Sequence, residues 1–332
     1  MRDKLAGGWL GRAAGCCLGK PLEVSVDRRQ TEAICRRLGS WPLRDYLNTW
    51  PEDAEFAGII PGRALKLRHR CCSRAIIDHA ENDDDLNYPI AALMCLERHG
   101  AEWTPGQLFR LIADITPWGQ LWSSGKNGAR AAIMGLDHPA GQLLGNPTRQ
   151  SLGAMIRCDV WAWVSPGNLR AAAEFALRDA VFTQTRNGIY AGIFWTVAIA
   201  AAMNHDNPVA AMTIARACVP PKSRFAEMAD LAFALRQSAT WEDAVDEMYR
   251  RCEADSRLPH NMRFNHSLLN SALTMLGVLY GEGDFAATIG LAVAGGRDTD
   301  CTGATAGSLL GCALGRRARS EERRVGKECR SR

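Results

Sequence analysis

The chain has 332 residues, of which 47% are hydrophobic, enough to bury one large core; two smaller domains are the other arrangement this length admits. The formal charge is +4, but from Arg316 onward there are eight Lys/Arg against three Asp/Glu, so the remainder carries −1 and gives no electrostatic case for nucleic-acid binding. No apolar run reaches the length of a membrane span, no secretory leader is visible at Met1-Arg2-Asp3-Lys4, and the twelve cysteines form no Cys-x-x-Cys pair, which predicts a reduced, cytoplasmic protein with buried thiols and argues against a structural zinc site.

Taken in chain order, the pattern is helical nearly throughout. Residues 3–18 carry Leu5, Trp9, Leu10, Ala13, Ala14, Cys17 and Leu18 at helical spacing, and Pro21 stops the run. A helix is predicted over 86–98, with Pro89 in its first turn, and another over 104–115 behind Thr104-Pro105. Residues 168–182 and 188–204 read as a helical pair around Thr183–Asn187, and a short helix lies between Pro208 and Pro220-Pro221. Helices over 223–238, 241–252, 265–280, 284–295 and 302–315 complete the set. Residues 36–72 and 117–150 are rich in proline, glycine and mixed charge, and read as long loop-bearing excursions. One all-α domain over 1–315 is predicted. Residues 316–332 lack apolar periodicity, resemble cloning-vector read-through, and are expected to be a non-native basic tail.

Two acidic clusters stand out, Asp83-Asp84-Asp85 and Asp298-Thr299-Asp300. Each sits at a helix start, where one acid caps and others favour the helix dipole. Three contiguous acids exceed what capping requires, and a hard divalent cation with oxygen ligands would relieve their repulsion. The second cluster follows Gly295-Gly296 and precedes a run of very small residues, Thr302 to Ser308. A third element, Gly11 to Glu23, has glycines every four residues and a carboxylate just past the helix end.

Together these three segments resemble the ADP-ribosylglycohydrolase family, which includes the dinitrogenase-reductase-activating glycohydrolases. Residues 11–23 are similar to its Gly-rich helix ending in Glu, Asp83-Asp84-Asp85-Leu86 to its Thr-Asp-Asp-Thr motif, and Gly296 to Cys301 to its Gly-Gly-Asp-Thr-Asp-Thr motif. The resemblance implies an all-helical single domain with two Mg²⁺ (or Mn²⁺) ions in a cleft. It makes Asp84, Asp85, Asp298 and Asp300 metal ligands and Glu23 the residue that takes part in catalysis. Asp83 stands where a Thr ligand is usual, and Cys301 where another is; a thiol is a poor Mg²⁺ ligand, so water is expected to fill that position.

Less closely, Leu152–Arg157 is similar to the family's Gly-rich substrate loop, with Gly153 and Ala154 as candidate contacts. Gln184 replaces the His of a Thr-His pair, and Asn187 and Tyr190 are further cleft candidates. The implied activity is metal-dependent hydrolysis of a ribosyl C1′ bond in an ADP-ribosylated protein or small conjugate. The alternatives are a ribosidase acting on a free nucleoside or ribosyl phosphate, and a catalytically silent ADP-ribose binder.

Overall fold

The computed structural model describes residues 1–24, 26–253 and 264–328, with side chains at 253 and 317–328 excluded. Sixteen helices are present among the described residues: α1 (Arg2–Gly19), α2 (Arg28–Arg37), α3 (Asp84–His99), α4 (Pro105–Ile115), α5 (Ser123–Ile133), α6 (Ala140–Leu143), α7 (Gly153–Arg157), α8 (Asp159–Trp163), α9 (Leu169–Ala180), α10 (Asn187–Ala202), α11 (Pro208–Arg216), α12 (Arg224–Leu235), α13 (Trp241–Glu253), α14 (Ser267–Tyr280), α15 (Phe285–Ala294) and α16 (Thr299–Glu328). One antiparallel hairpin, β1 (Phe56–Ile60) with β2 (Arg63–Leu65), is the sheet among them. The all-α expectation holds, and the free cysteines described are buried apart from Cys71 and Cys218. No helix among the described residues is long and apolar enough to cross a membrane.

The axis of the molecule is the pair α1 and α16, which run antiparallel with their glycines interleaved. A Cβ built on Gly7, Gly11 or Gly15 would fall about 2 Å from the carbonyl oxygen of Gly311, Gly307 or Gly303 respectively, and the clash is reciprocal. The two backbones therefore touch, a closeness that only glycine permits. Thr299 Oγ1 completes the seam by donating to the Gly19 carbonyl at 2.8 Å. The apolar faces of α10 and α14, nearly all buried, pack behind this pair and form the centre of the core. At Gly315 the backbone of α16 takes φ 76° and leaves the helical path. Of the basic tail, residues 329–332 and the side chains from 317 onward lie outside the described residues.

Three differences from the sequence reading have local causes. Helix α2 was unanticipated, although Asp27 and Gln30 form a reciprocal capping box at its start. The 117–150 excursion contains α5 and α6 rather than loop alone. Finally, α3 begins at Asp84, which puts Pro89 in its second turn rather than its first. Proline there leaves the Asp85 carbonyl without its intrahelical donor. Arg12 Nε donates to that carbonyl at 2.6 Å, so the lost bond is replaced from a different helix.

Candidate metal-binding active site

The end of α1, the start of α3 and the start of α16 converge on one cleft of about 550 Å³. Glu23 follows the short 3₁₀ turn Lys20–Leu22 that ends α1. It is brought to α16 by backbone pairing: Asp27 bridges Gly296, and Arg297 N donates to the Val26 carbonyl at 2.8 Å. Gly296 has φ 83°, and a Cβ on it would meet the Val26 carbonyl oxygen at 2.6 Å, so the glycine is required by both its conformation and its neighbour. Asp298 and Asp300 then start α16, with Asp298 N held by Asn270 Oδ1 at 3.2 Å. From the other side, Asp83 caps α3 by accepting from Asp85 N at 2.8 Å, and Lys20 Nζ ties it to α1 at 2.7 Å.

The structure sorts the acids by their commitments. Asp85 is fully buried; it pairs with Arg12 at 2.8 Å through one oxygen and accepts the Cys301 thiol at 3.1 Å through the other. Arg12, equally buried, also pairs with Asp159 at 2.7 Å and donates to the Ile156 carbonyl. It thus locks α1, α3, α7 and α8 together, a role not apparent from sequence. Asp84 neighbours Tyr88 at the cleft wall. Asp300 is buried, and its Oδ1 has no hydrogen-bond partner. Ligand atoms of Glu23, Asp298 and Asp300 lie within 4.8 Å of one another, and so do those of Asp85, Asp300 and Cys301; the two groups share Asp300.

Electrostatics at this floor are unbalanced. Burial, then neighbouring carboxylates, raise Asp84 and Asp298 well above the usual range. Asp85 is raised by burial in spite of Arg12. Asp300 is pushed up to about 6, by burial first and Asp83 second. Glu23 keeps an edge open to the cleft, yet local desolvation, then Asp300, push its carboxyl up to about 9. Lys20 and Arg12 do not neutralise six acids. The set is rich in oxygen donors, short of positive charge and holds an orphaned buried carboxylate oxygen, which fits a hard divalent cation.

A family model described as ADP-ribosylglycohydrolase matches residues 1–324. The chain belongs to the ADP-ribosylglycohydrolase family. A solved "ADP-ribosylglycohydrolase-related protein complex" has a similar fold, with a TM-score of 0.54 and 18% identity over 96% of this chain and 89% of that one. No curated protein matches the chain. As an ADP-ribosylglycohydrolase family member the protein is a glycoside hydrolase, and its helical architecture is that of the family.

The chain departs from the sequence reading in its substrate loops. Of the candidate contacts, Gly153 lines the cleft, but Ala154, Gln184, Asn187 and Tyr190 are not among the lining residues. Residues Gly153–Arg157 form helix α7 rather than a loop, and Ala154 turns into the core. Gln184 is fully buried and spent on structure: its amide donates to the Arg149 and Ser151 carbonyls at 3.0 Å each and accepts from Ser124 Oγ at 2.6 Å. Asn187 Nδ2 donates to Gln150 Oε1 at 3.0 Å, and Tyr190 packs half-buried against the core. Gln184 instead braces the wall: a Cβ on Gly153 would meet Ser124 Oγ at 2.0 Å and the end of the Gln184 amide at 3.2 Å. Residues that do line the cleft and were missed include Tyr88, Trp122, Ser123, Ser124 and Phe264. Most come from the 117–150 excursion, whose loop-rich composition was the one available signal.

Proposed function

We propose that the chain is a divalent-cation-dependent hydrolase that cleaves the C1′ bond joining ADP-ribose, or a related ribosyl group, to its acceptor. The observation that carries this reading is Asp300, buried at the cleft floor with an unpartnered carboxylate oxygen and shared between two groups of ligand atoms. Two ions are proposed because of that sharing. Asp83, Asp84, Asp85, Asp298 and Asp300 would hold them. Cys301 donates its thiol proton to Asp85 rather than offering a lone pair, and water is left to complete the coordination. Oxygen donors suit Mg²⁺, with Mn²⁺ a close second. When bound, such ions act as Lewis acids that orient the ribose hydroxyls.

The chain's own groups carry the rest. Cleavage passes through an oxocarbenium-like state that needs a positioned water and a proton for the leaving group. Glu23, open to the cleft yet held beside Asp298 and Asp300, is assigned to orient that water and to move the proton. The N-terminus of α5 opens onto the cleft at Ser123-Ser124-Gly125, and Trp122 before it makes no side-chain cap, so these N–H groups suit a diphosphate. Trp122 is 62% exposed at the rim, large enough to stack an adenine.

The test is a panel of ADP-ribosylated proteins and small conjugates, nucleosides and ribosyl phosphates, incubated with Mg²⁺ or with EDTA. Release of ADP-ribose with Mg²⁺ only is expected; binding without turnover of any substrate overturns the proposal. Trp122→Ala is expected to raise KM for ADP-ribosyl conjugates about tenfold, the scale of one base–aromatic stack. It should leave kcat, and any turnover of a ribosyl phosphate lacking the base, unchanged; steady-state kinetics on both substrates check this.

A further inference from the structure

On the rim beside the acidic floor, in the segment leading into α3, stands a second cluster with different chemistry. The Cys71 thiol donates to Glu81 Oε2 at 2.9 Å, and the Cys72 thiol reaches the same oxygen at 3.4 Å. His69 Nδ1 lies 3.2 and 3.1 Å from the two Glu81 oxygens. Cys17, near the end of α1, neighbours Cys72. The ligand atoms of Cys71, Cys72 and Glu81 all lie within 4.8 Å of one another. None of these groups has a part in the proposed hydrolysis.

Thiols are weak hydrogen-bond donors, so two of them sharing one carboxylate oxygen is a poor use of that oxygen. The same atoms are good ligands for a borderline-soft cation. Thiolate and carboxylate together suit Zn²⁺, whereas Mg²⁺ avoids sulfur. A tetrahedral zinc site with such donors places neighbouring ligand atoms about 3.4–3.8 Å apart, as follows from the usual Zn–S and Zn–O lengths. The observed contacts are slightly shorter, so a small outward movement admits the ion. The backbone that presents the thiols is already fixed. Cys71 and Cys72 sit on the 3₁₀ turn Arg70–Cys72, entered through His69 at φ 52°, a conformation non-glycine residues seldom adopt. Arg70 Nε donates to the Trp50 carbonyl, and Thr49 and Ser73 hydroxyls meet at 2.8 Å.

The surrounding chain also calls for such a clamp. Residues 66–82 contain a single 3₁₀ turn, and their side chains are mostly exposed, Leu67, Cys72 and Ser73 being the buried ones. This stretch nevertheless delivers Asp83, Asp84 and Asp85 to the cleft. We propose that Cys71, Cys72 and Glu81 form a zinc site, completed by water, that pins the turn Arg70–Cys72 to the residues leading into α3. His69 orients Glu81 from outside the ligand set, as a hydrogen-bonded partner of a metal ligand does. The absence of Cys-x-x-Cys spacing hid the site, because its donors are an adjacent cysteine pair and a glutamate nine positions further on.

The experiment uses the full chain under reducing conditions. Metal analysis after dialysis is expected to find one zinc per chain, and replacement by Co²⁺ to give sulfur-to-cobalt charge-transfer and tetrahedral d–d bands. Cys71→Ser should abolish the charge-transfer bands, and Glu81→Gln should weaken zinc affinity at least about tenfold. Asp300→Asn and Cys218→Ser should leave both readouts as they are. Cys72 is buried and its variant is at risk of unfolding, so Cys71→Ser, at a half-buried position, decides the matter, with circular dichroism confirming the fold. Bands that survive Cys71→Ser, their absence from the unmodified protein, or a native Cys17–Cys72 disulfide overturn the proposal.

Discussion

Asp300→Asn is expected to abolish hydrolysis while making the metal-free protein more stable. The carboxylate is buried beside Asp298, Glu23 and Asp85, with one oxygen unpartnered, so in the absence of a cation its charge is a net liability. An amide of the same shape removes that charge, and a gain of roughly 0.5–2 kcal/mol in EDTA is expected, the size of other stabilising changes at functional sites. Activity with Mg²⁺ should fall at least about 10³-fold, near 4 kcal/mol of transition-state stabilisation. In the unaltered protein, Mg²⁺ at a hundred times its Kd should add about 2.7 kcal/mol of stability, and in the variant this gain should largely vanish.

Glu23→Gln should lose activity to a similar degree but keep most of the Mg²⁺-dependent stabilisation, which separates a reacting group from a ligand. The pH dependence has a definite sign. Carboxyls whose folded pKa is raised hold their proton in the folded state after the unfolded chain has released it near pH 4. Their contribution is complete below that pH and is lost as pH rises through the folded value, about 6 for Asp300 and about 9 for Glu23. Thermal stability in EDTA should therefore decline between about pH 4 and 9, and Mg²⁺ should flatten the decline. A melting temperature in EDTA that rises over this range, or one indifferent to Mg²⁺ at pH 8, would contradict the site.

Gly15→Ala is the second variant with a large expected effect. An added Cβ would stand 1.9 Å from the Gly303 carbonyl oxygen and 2.9 Å from Ala304 N, all backbone atoms that cannot rotate away. Helices α1 and α16 must separate to admit it. The cost expected is about 3 kcal/mol, at the upper end of overpacking, or roughly 5 °C in melting temperature. Because Glu23 is carried on the end of α1 and Asp300 on the start of α16, activity should fall further than stability alone explains. Gly106→Ala is the control: its added Cβ makes only an ordinary contact with Asp137 Oδ1 at 3.4 Å, and stability should be unchanged or slightly raised. Equal melting temperatures for the two variants would mean that the glycine seam does not bear on packing.

What could be read from the sequence was whatever is encoded locally. The apolar periods of α1, α10 and α14 and the caps at Thr104 and Ser223 are near-neighbour signals, and they placed those helices to within a few residues. The acidic floor was legible because three short motifs each carry a chemical peculiarity, and the structure brings Glu23, Asp298 and Asp300 together. What escaped depends on distant partners. Arg12 reads as one more charge on a helix until Asp85 and Asp159 arrive from positions far along the chain. Gln184 looked like a substitute for a substrate-facing residue, but only the placement of Arg149, Ser151 and Ser124 around its amide shows that it is spent on the wall. Residues 117–150 hid α5 because its helical run, with Gly125 and Gly128 inside it, favours close contact with Tyr88 and Phe109 over intrinsic helix propensity.

The seam between α1 and α16 also sets an order of events. The Gly19–Thr299 contact spans 280 residues, so α1 cannot meet its partner until the ribosome has added that much further chain. At about 5–20 residues per second, that leaves α1, with its glycine-bared face, waiting for roughly 15 to 60 s. The middle helices have time to collapse first around α10, and closure of the two ends becomes a late step of folding. The acidic floor is assembled by that same closure. The cation proposed for this floor would therefore be gathered only after the core is built, at the completion of folding rather than its start.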